Sequence, residues 1–292
     1  MDGVLNILKP PGMTSHDVIS FLRRVLKTKK IGHAGTLDPQ AAGVLPVCVG
    51  QATRLIEYLM HQDKEYFCEM SLGIATLTQD AWGEVLETKD YRQVTLDEIK
   101  SKIPQFTGTI NQKVPAYSAV KIEGIPLYKR TRLGMKTKPS FRQVRVSEIN
   151  LLKYEPPRVT FVIKCSKGTY VRTICHDWGS ALGVGGHMSF LLRTKVGSFL
   201  LNDSITLEEV ATLKENALLP METCVERLEK MVLTEQELKR IKQGQVLVLA
   251  DTVPLLKNIA LFNELGCLEA IAATYAVDQK IILKPEKVLK RE

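Results

Sequence analysis

The chain has 292 residues, 45% hydrophobic and 25% charged, which excludes intrinsic disorder and leaves room for a large core and two domains. Lys and Arg outnumber Asp and Glu by 40 to 32, and the net charge of +8 points to a polyanionic partner. No apolar run approaches the roughly 20 residues that span a bilayer. Cys48, Cys68, Cys165, Cys175, Cys224 and Cys267 form no Cys-x-x-Cys pair, so neither a zinc site nor a disulfide scaffold is expected.

In chain order, Val4-Leu5-Asn6-Ile7-Leu8 opens the sequence without a signal-peptide core or an Arg-rich transit segment, so a cytoplasmic protein is expected. Thr14-Ser15 then caps a helix whose apolar positions are Val18, Ile19, Leu22, Val25 and Leu26, with Arg23, Arg24 and Lys27 on the other face. The run from Lys29 to Leu45 follows. Gly32, Gly35 and Pro39 break regular structure on both sides of Asp38 and fix its loop tightly, with His33 five residues ahead of it. Loops held by a rigid scaffold carry a large share of catalytic groups.

Further on, Tyr66, Cys68, Met70 and Leu72 share one strand face, as do Val159, Phe161, Ile163 and Cys165. Capping boxes at Thr95-x-x-Glu98, Thr206-x-x-Glu209 and Thr234-x-x-Glu237 each open a helical pattern. Helices and strands are interspersed without a regular βαβ repeat, so the fold class is α+β. A boundary falls near residues 222 to 233. Beyond it, short strand-like runs such as Val246–Leu249 and Ile281–Leu283 indicate a small β-barrel-like appendage.

Between Lys129 and Ser147 lie seven basic residues and no acidic one: Lys129, Arg130, Arg132, Lys136, Lys138, Arg142 and Arg145. Gly134 and Pro139 interrupt the segment, so it reads as a flexible arm that neutralises the phosphates of a polyanionic partner, with Arg132, Lys136 and Lys138 as substrate-binding candidates. Lys280, Lys284, Lys287, Lys290 and Arg291 extend the basic footprint.

The Lys29–Leu45 run resembles the catalytic loop of the tRNA pseudouridine synthases of the TruB family. Lys9-Pro10-Pro11-Gly12-Met13-Thr14-Ser15 resembles the family's opening motif, and Val114–Gly124 a second block. Gly168-Thr169-Tyr170-Val171-Arg172-Thr173 and the stretch from Gly186-His187 to Gly197 resemble a third. The resemblance implies a pseudouridine synthase fold over residues 1–225, with a mixed, largely antiparallel central sheet. A PUA-type RNA-binding domain over residues 226–292 would follow it. The implied activity is isomerisation of the T-loop uridine at position 55 of tRNA, by base flipping, without cofactor or metal. The implied substrate is the T-arm stem-loop, and a monomer is expected.

That reaction breaks the ribose C1′ to base N1 bond and rejoins the base through C5. It needs a nucleophile, a proton-transfer group and a pocket for the detached base. Asp38 fits the first role, since a carboxylate can form a covalent adduct. The residues leave open whether it attacks C1′ or C6 or promotes elimination to a glycal. The resemblance pairs Arg172 with Asp38, sets the Tyr66 ring against the flipped uracil and places Tyr170 beside base or sugar. It makes Leu191 a uracil contact and gives His33 the space vacated by the departing base. Lys9 and Pro10 brace the loop. Two other readings are a non-catalytic RNA-binding or RNA-folding protein and a metal-dependent hydrolase using His33, Asp38, His176 and Asp177. No metal-ligand spacing supports the second.

Overall fold

One face of a strand alternates with the other, so a period-two pattern marks a half-covered sheet and an unbroken apolar run marks a strand covered on both sides. The structure is a computed structural model. It describes residues 1–118, 120, 122, 124–135, 138–250 and 254–290, and the backbone of Lys121. The candidates Lys136 and Arg291 lie outside the described residues.

The first sheet begins with β1 (Gly3–Lys9), β2 (Ile31–His33), β3 (Ala42–Val49) and β4 (Lys64–Leu72). The hairpin of β5 (Ile74–Thr76) and β6 (Val85–Thr88) stands apart from it. Next come β7 (Gly108–Lys113), the small hairpin of β8 (Lys121–Ile122) and β9 (Ile125–Pro126), β10 (Phe141–Glu155) and β11 (Arg158–Cys165). β12 (Gly186–Val196) and β13 (Phe199–Leu200) complete this part of the chain. The strand order is β1-β3-β12-β4-β11-β10-β7, with β2 on β3 and β13 on β12. Only the β3–β12 pairing is parallel within this sheet, so it is mixed and largely antiparallel, as expected.

β4 buries Lys64, Tyr66, Cys68, Met70 and Leu72, and β11 buries Val159, Phe161, Ile163 and Cys165, the alternation read from the sequence. Among the described residues seven α-helices pack around the sheets: α1 (Ser15–Val25), α2 (Ile56–Met60), α3 (Leu96–Lys102), α4 (Leu127–Arg132), α5 (Val171–Ala181), α6 (Leu207–Leu213) and α7 (Glu235–Lys242). The capping boxes at Thr95, Thr206 and Thr234 all form. Thr14 makes a fourth, in which Asp17 supplies the reciprocal bond, a carboxylate shorter than the Glu or Gln the pattern usually carries. α5 contributes Trp178, fully buried against Phe161 and Phe106 with ring centroids 5.4 and 5.9 Å away.

The second sheet holds β14 (Glu229–Val232), β15 (Leu247–Leu249), β16 (Ile259–Phe262), β17 (Leu268–Val277) and β18 (Lys280–Val288), in the order β14-β16-β17-β18-β15. It curls into a half-barrel. Asp278 and Gln279 join β17 to β18 with φ of 45° and 61°, both in the left-handed region that a tight hairpin demands. One apolar cluster runs between the sheets and includes Leu55, Tyr58 and Leu59 on one side and Phe262, Leu268 and Ile271 on the other. Around its edge Lys287 pairs with Glu57 and lies 4.9 Å from the Tyr58 ring centroid, while Arg54 donates to the Val288 carbonyl at 2.6 Å.

The basic segment differs from its expectation as one flexible arm. Arg142 and Arg145 belong to β10, because Val144 and Val146 alternate inward and the strand pairs with β7. Arg130 is buried in α4 and donates to the Ile122 carbonyl at 3.0 Å. Arg132 and Lys138 stay exposed. Among the described residues no helix is long and apolar enough to cross a membrane.

Candidate active site

The loop between β2 and β3 is shaped by two buried cations aimed at main-chain oxygens. Lys9, at the end of β1, is fully buried, and its Nζ donates to the carbonyls of Pro10, Pro39 and Ala41 at 2.7, 3.0 and 2.8 Å. Burial, and then the charge of Arg193, brings its pKa down to about 8. Arg193, on β12, donates to Val44 O at 2.6 Å and to Gly35 O at 3.1 Å. Gly43, at φ 111°, makes this approach possible, since a Cβ there would meet Arg193 O at 2.2 Å. Ser15 and Leu37 add a reciprocal pair of bonds, and Gly12 N donates to Pro39 O at 2.9 Å. The loop is thereby held from α1, β1 and β12 at once.

Asp38 sits at the crest of that loop, 3.3 Å from Nη1 of Arg172. Arg172 is in the first turn of α5, and the start of this helix is itself clamped. Gln112, buried in β7, accepts from Tyr170 N at 2.8 Å and donates to Tyr170 O at 2.9 Å. Nη2 of Arg172 donates to the Tyr117 carbonyl at 2.5 Å. A second carboxylate, Asp80, lies 3.6 Å from the same guanidinium. The turn between β5 and β6 presents it, with Thr78 Oγ1 and Trp82 N both donating to its Oδ1 at 2.5 and 3.1 Å. One cation therefore bridges two acids. Burial raises the Asp38 pKa, the Arg172 charge pulls it down, and Asp80 pushes it up again; the balance lies above the ordinary carboxylate value.

A cleft of about 500 Å³ opens over this pair. Asp38, Asp80, Arg172, Leu191 and Arg132 all line it, so five charged or apolar groups from five separate chain segments converge there. Tyr66, Tyr170 and His33 are not among its walls. Tyr66 lies behind the loop beside Arg193, and burial pushes its hydroxyl up to about 12 against the pull of that guanidinium. Tyr170 lies between two cations, with Arg142 and Arg172 5.8 and 5.7 Å from its ring centroid. His33 ends β2; burial first, then Arg193 and His16, lower its pKa, and its Nδ1 is buried without a hydrogen-bond partner. Lys138 is exposed between α4 and β10. Asp80 and Arg193 were not singled out in the sequence. The Thr78-Gln79-Asp80-Ala81-Trp82-Gly83 turn was the available signal for Asp80, because its Thr and Asp close on each other.

His176 and Asp177, offered above as part of a metal shell, belong to α5, and the described residues hold no group of three metal-ligating side chains. The site can hold one carboxylate ionised at the floor of a partly closed cleft, next to a buried phenol and a cationic rim.

Residues 23–171 match the family model for the amino-terminal domain of the TruB family of pseudouridylate synthases, and residues 172–232 match that for the tRNA pseudouridylate synthase B carboxy-terminal domain. The chain is 43% identical to a tRNA pseudouridine synthase B of Moorella thermoacetica, with 99% of each chain covered. It is 43% identical to one of Alkaliphilus oremlandii, over 90% of each. Among solved structures it is similar to a Cbf5-Nop10-Gar1 complex, at 31% identity and a TM-score of 0.76, covering 98% of this chain and 84% of that one. It is also similar to an H/ACA ribonucleoprotein bound to a substrate RNA containing 2′-deoxyuridine. That match has 29% identity and a TM-score of 0.76, and covers 99% of this chain and 85% of the other.

Proposed function

This chain belongs to the TruB family of pseudouridylate synthases, and on that premise we propose that it isomerises the T-loop uridine at position 55 of tRNA to pseudouridine. The observation that carries the reading is Asp38, held 3.3 Å from the buried Arg172 at the floor of a cleft within the size range of ligand sites. A stacked uridine cannot reach that carboxylate, so it is extruded from the loop at a cost of a few kcal/mol. The ionised carboxylate is the nucleophile. Attack at C1′, attack at C6 and elimination to a glycal all start from it, and all require the proton to stay off. Arg172 opposes the burial and the Asp80 charge that would put it back.

The Tyr66 phenol, with its pKa raised by burial, stays protonated at neutral pH; in this reading its ring meets the flipped uracil and its hydroxyl lies near the proton that must move. Leu191 supplies an apolar wall for the detached base, and Tyr170, whose ring centroid lies 5.7 Å from Arg172, packs beside base or sugar in this reading. His33, kept neutral by burial, takes the place the base vacates. Arg132, Lys136 and Lys138 hold phosphates of the T arm. Residues 1–225 carry the chemistry, and residues 226–292 form a PUA-type RNA-holding unit. The enzyme works as a cytoplasmic monomer and uses neither metal nor cofactor.

Tritium release from a T-arm stem-loop carrying 5-tritiated uridine tests this directly, since the C5 hydrogen leaves when the new glycosidic bond forms. Wild type should release tritium without added metal or nucleotide, and replacement of the target uridine by cytidine should stop it. Asp38→Asn should bind the stem-loop within a few-fold of wild type and release nothing. Tight binding with no release by wild type would leave an RNA-binding protein as the better reading.

A further inference from the structure

The cleft carries two aromatic side chains that no step of the proposed reaction uses. Trp82 is 70% exposed and Phe190 45% exposed, and both line the cleft that holds Asp38 and Arg172. Large aromatic rings left open to water forgo part of the free energy that burial would give them. Each is nonetheless held by a built feature. Trp82 lies two residues after Asp80 in the β5–β6 turn, where its backbone N–H donates to Asp80 Oδ1 and the neighbouring Ala81 backbone N–H donates to Met188 O at 3.0 Å. That turn is closed tightly, because a Cβ on Gly83 would meet Thr78 Oγ1 at 2.3 Å. The backbone of Trp82 is therefore tied to the carboxylate that faces Arg172, and its ring projects from that fixed turn.

Phe190 comes from a second element. A register shift between Met188 and Phe190 inserts Ser189 into β12 opposite β4, a bulge of the kind that re-aims side chains beside functional sites. Ser189 Oγ donates to the Glu69 side chain at 2.8 Å and pins the bulge. Leu191 is buried while Phe190 stays open, its ring meeting Phe67 edge-on at 6.2 Å between centroids. Arg132 lines the same cleft and supplies a cation for backbone phosphate.

Exposed rings on rigid supports beside a cation are what unstacked nucleobases bind, because every base offers a π-face to an aromatic ring. We propose that Trp82, with Phe190, is a stacking platform for a base neighbouring the target uridine, taking the stacking that base loses when the uridine is extruded. This rests on the RNA-isomerase reading of the site, and it assigns substrate binding to residues outside the reacting group.

The chain's only two tryptophans make the test direct, since Trp178 is fully buried in the core and Trp82 is open. Titrating the full-length protein with the T-arm stem-loop should quench indole emission. The quench should persist in Trp178→Phe and vanish in Trp82→Phe. Affinity should fall about five- to hundredfold in Trp82→Ala, the equivalent of one base–aromatic stack, and Trp82→Phe should recover most of it. An unchanged melting temperature in Trp82→Ala would establish that the fold is intact. Wild type that binds and modifies the stem-loop, with no quench and with Trp82→Ala binding equally well, overturns the platform alone. Wild type that neither binds nor modifies the stem-loop overturns the isomerase reading and the platform with it.

Discussion

Replacing Arg172 by Met probes the charge arrangement on which the proposed chemistry depends. Arg172 is 6% exposed and stands 3.3 Å from Asp38 and 3.6 Å from Asp80. Methionine keeps part of the apolar stem and deletes the guanidinium, so two acids are left without their shared cation and Tyr117 O loses its donor. Removing one partner of a buried ion pair costs about 3–5 kcal/mol. The Asp38 side chain is 35% open to the cleft and can relieve the repulsion by binding a proton, so the expected loss falls at the low end, about 3 kcal/mol.

The pH dependence has a definite sign. The Asp38 pKa already lies above its ordinary value, and Arg172 is the largest influence pulling it down. Without that charge it rises further, the ionised nucleophile becomes scarcer at any given pH, and the acid limb of the activity profile moves to higher pH. Each unit of movement corresponds to about 1.4 kcal/mol. Urea unfolding at neutral pH reads the first effect, and tritium release followed from about pH 5 to about pH 9 reads the second. A variant within about 0.5 kcal/mol of wild type, with an unmoved acid limb, would refute the assignment of Arg172 as the charge that keeps Asp38 ionised.

Three further outcomes follow from the same geometry. Asp80→Asn removes the like charge that raises the Asp38 pKa, so its acid limb should move to lower pH, opposite to Arg172→Met; movement in the same direction would contradict the bridged-acid arrangement. Lys9→Met should cost about 2–5 kcal/mol in urea unfolding, because Pro10 O and Ala41 O lose their donor while Pro39 O keeps Gly12 N. Because the folded Lys9 pKa of about 8 lies below its ordinary 10.5, the unfolded chain binds the extra proton between those values. Wild-type stability should therefore gain from this group as pH rises through that window, and an equal gain in Lys9→Met would rule the group out. Changing Arg132, Lys136 and Lys138 together to Gln should weaken stem-loop binding and flatten its log–log salt dependence by about 0.7–0.9 per lost phosphate contact, whereas an unchanged slope would remove them from the RNA interface.

Local rules carried much of this fold. The β4 and β11 faces follow from alternation, and three helix starts follow from capping boxes that compete with no distant partner. Glycine and proline around Asp38 marked its loop as rigid without revealing what makes it so. Arg193 reaches Gly35 across 158 positions, and Asp80 meets Arg172 across the β5–β6 turn, so each looks like an ordinary polar residue until the sheet forms. His33 lies five residues from Asp38, ends a strand facing Arg193 and His16, and does not itself wall the cleft. Arg142 and Arg145 fall in a strand rather than a flexible arm because Val144 and Val146 carry a strand signal that the charges conceal.

The apolar cluster joining the two sheets decides how the chain behaves as a folding unit. Leu55 and Leu59 share one buried cluster with Phe262, Leu268 and Ile271, so melting either sheet strips apolar cover from the other and couples the two transitions. Heating should produce one cooperative transition. A chain cut after residue 225 would present that seam to water as a sticky surface, and it would be lost to aggregation before any weakened grip on RNA could be measured.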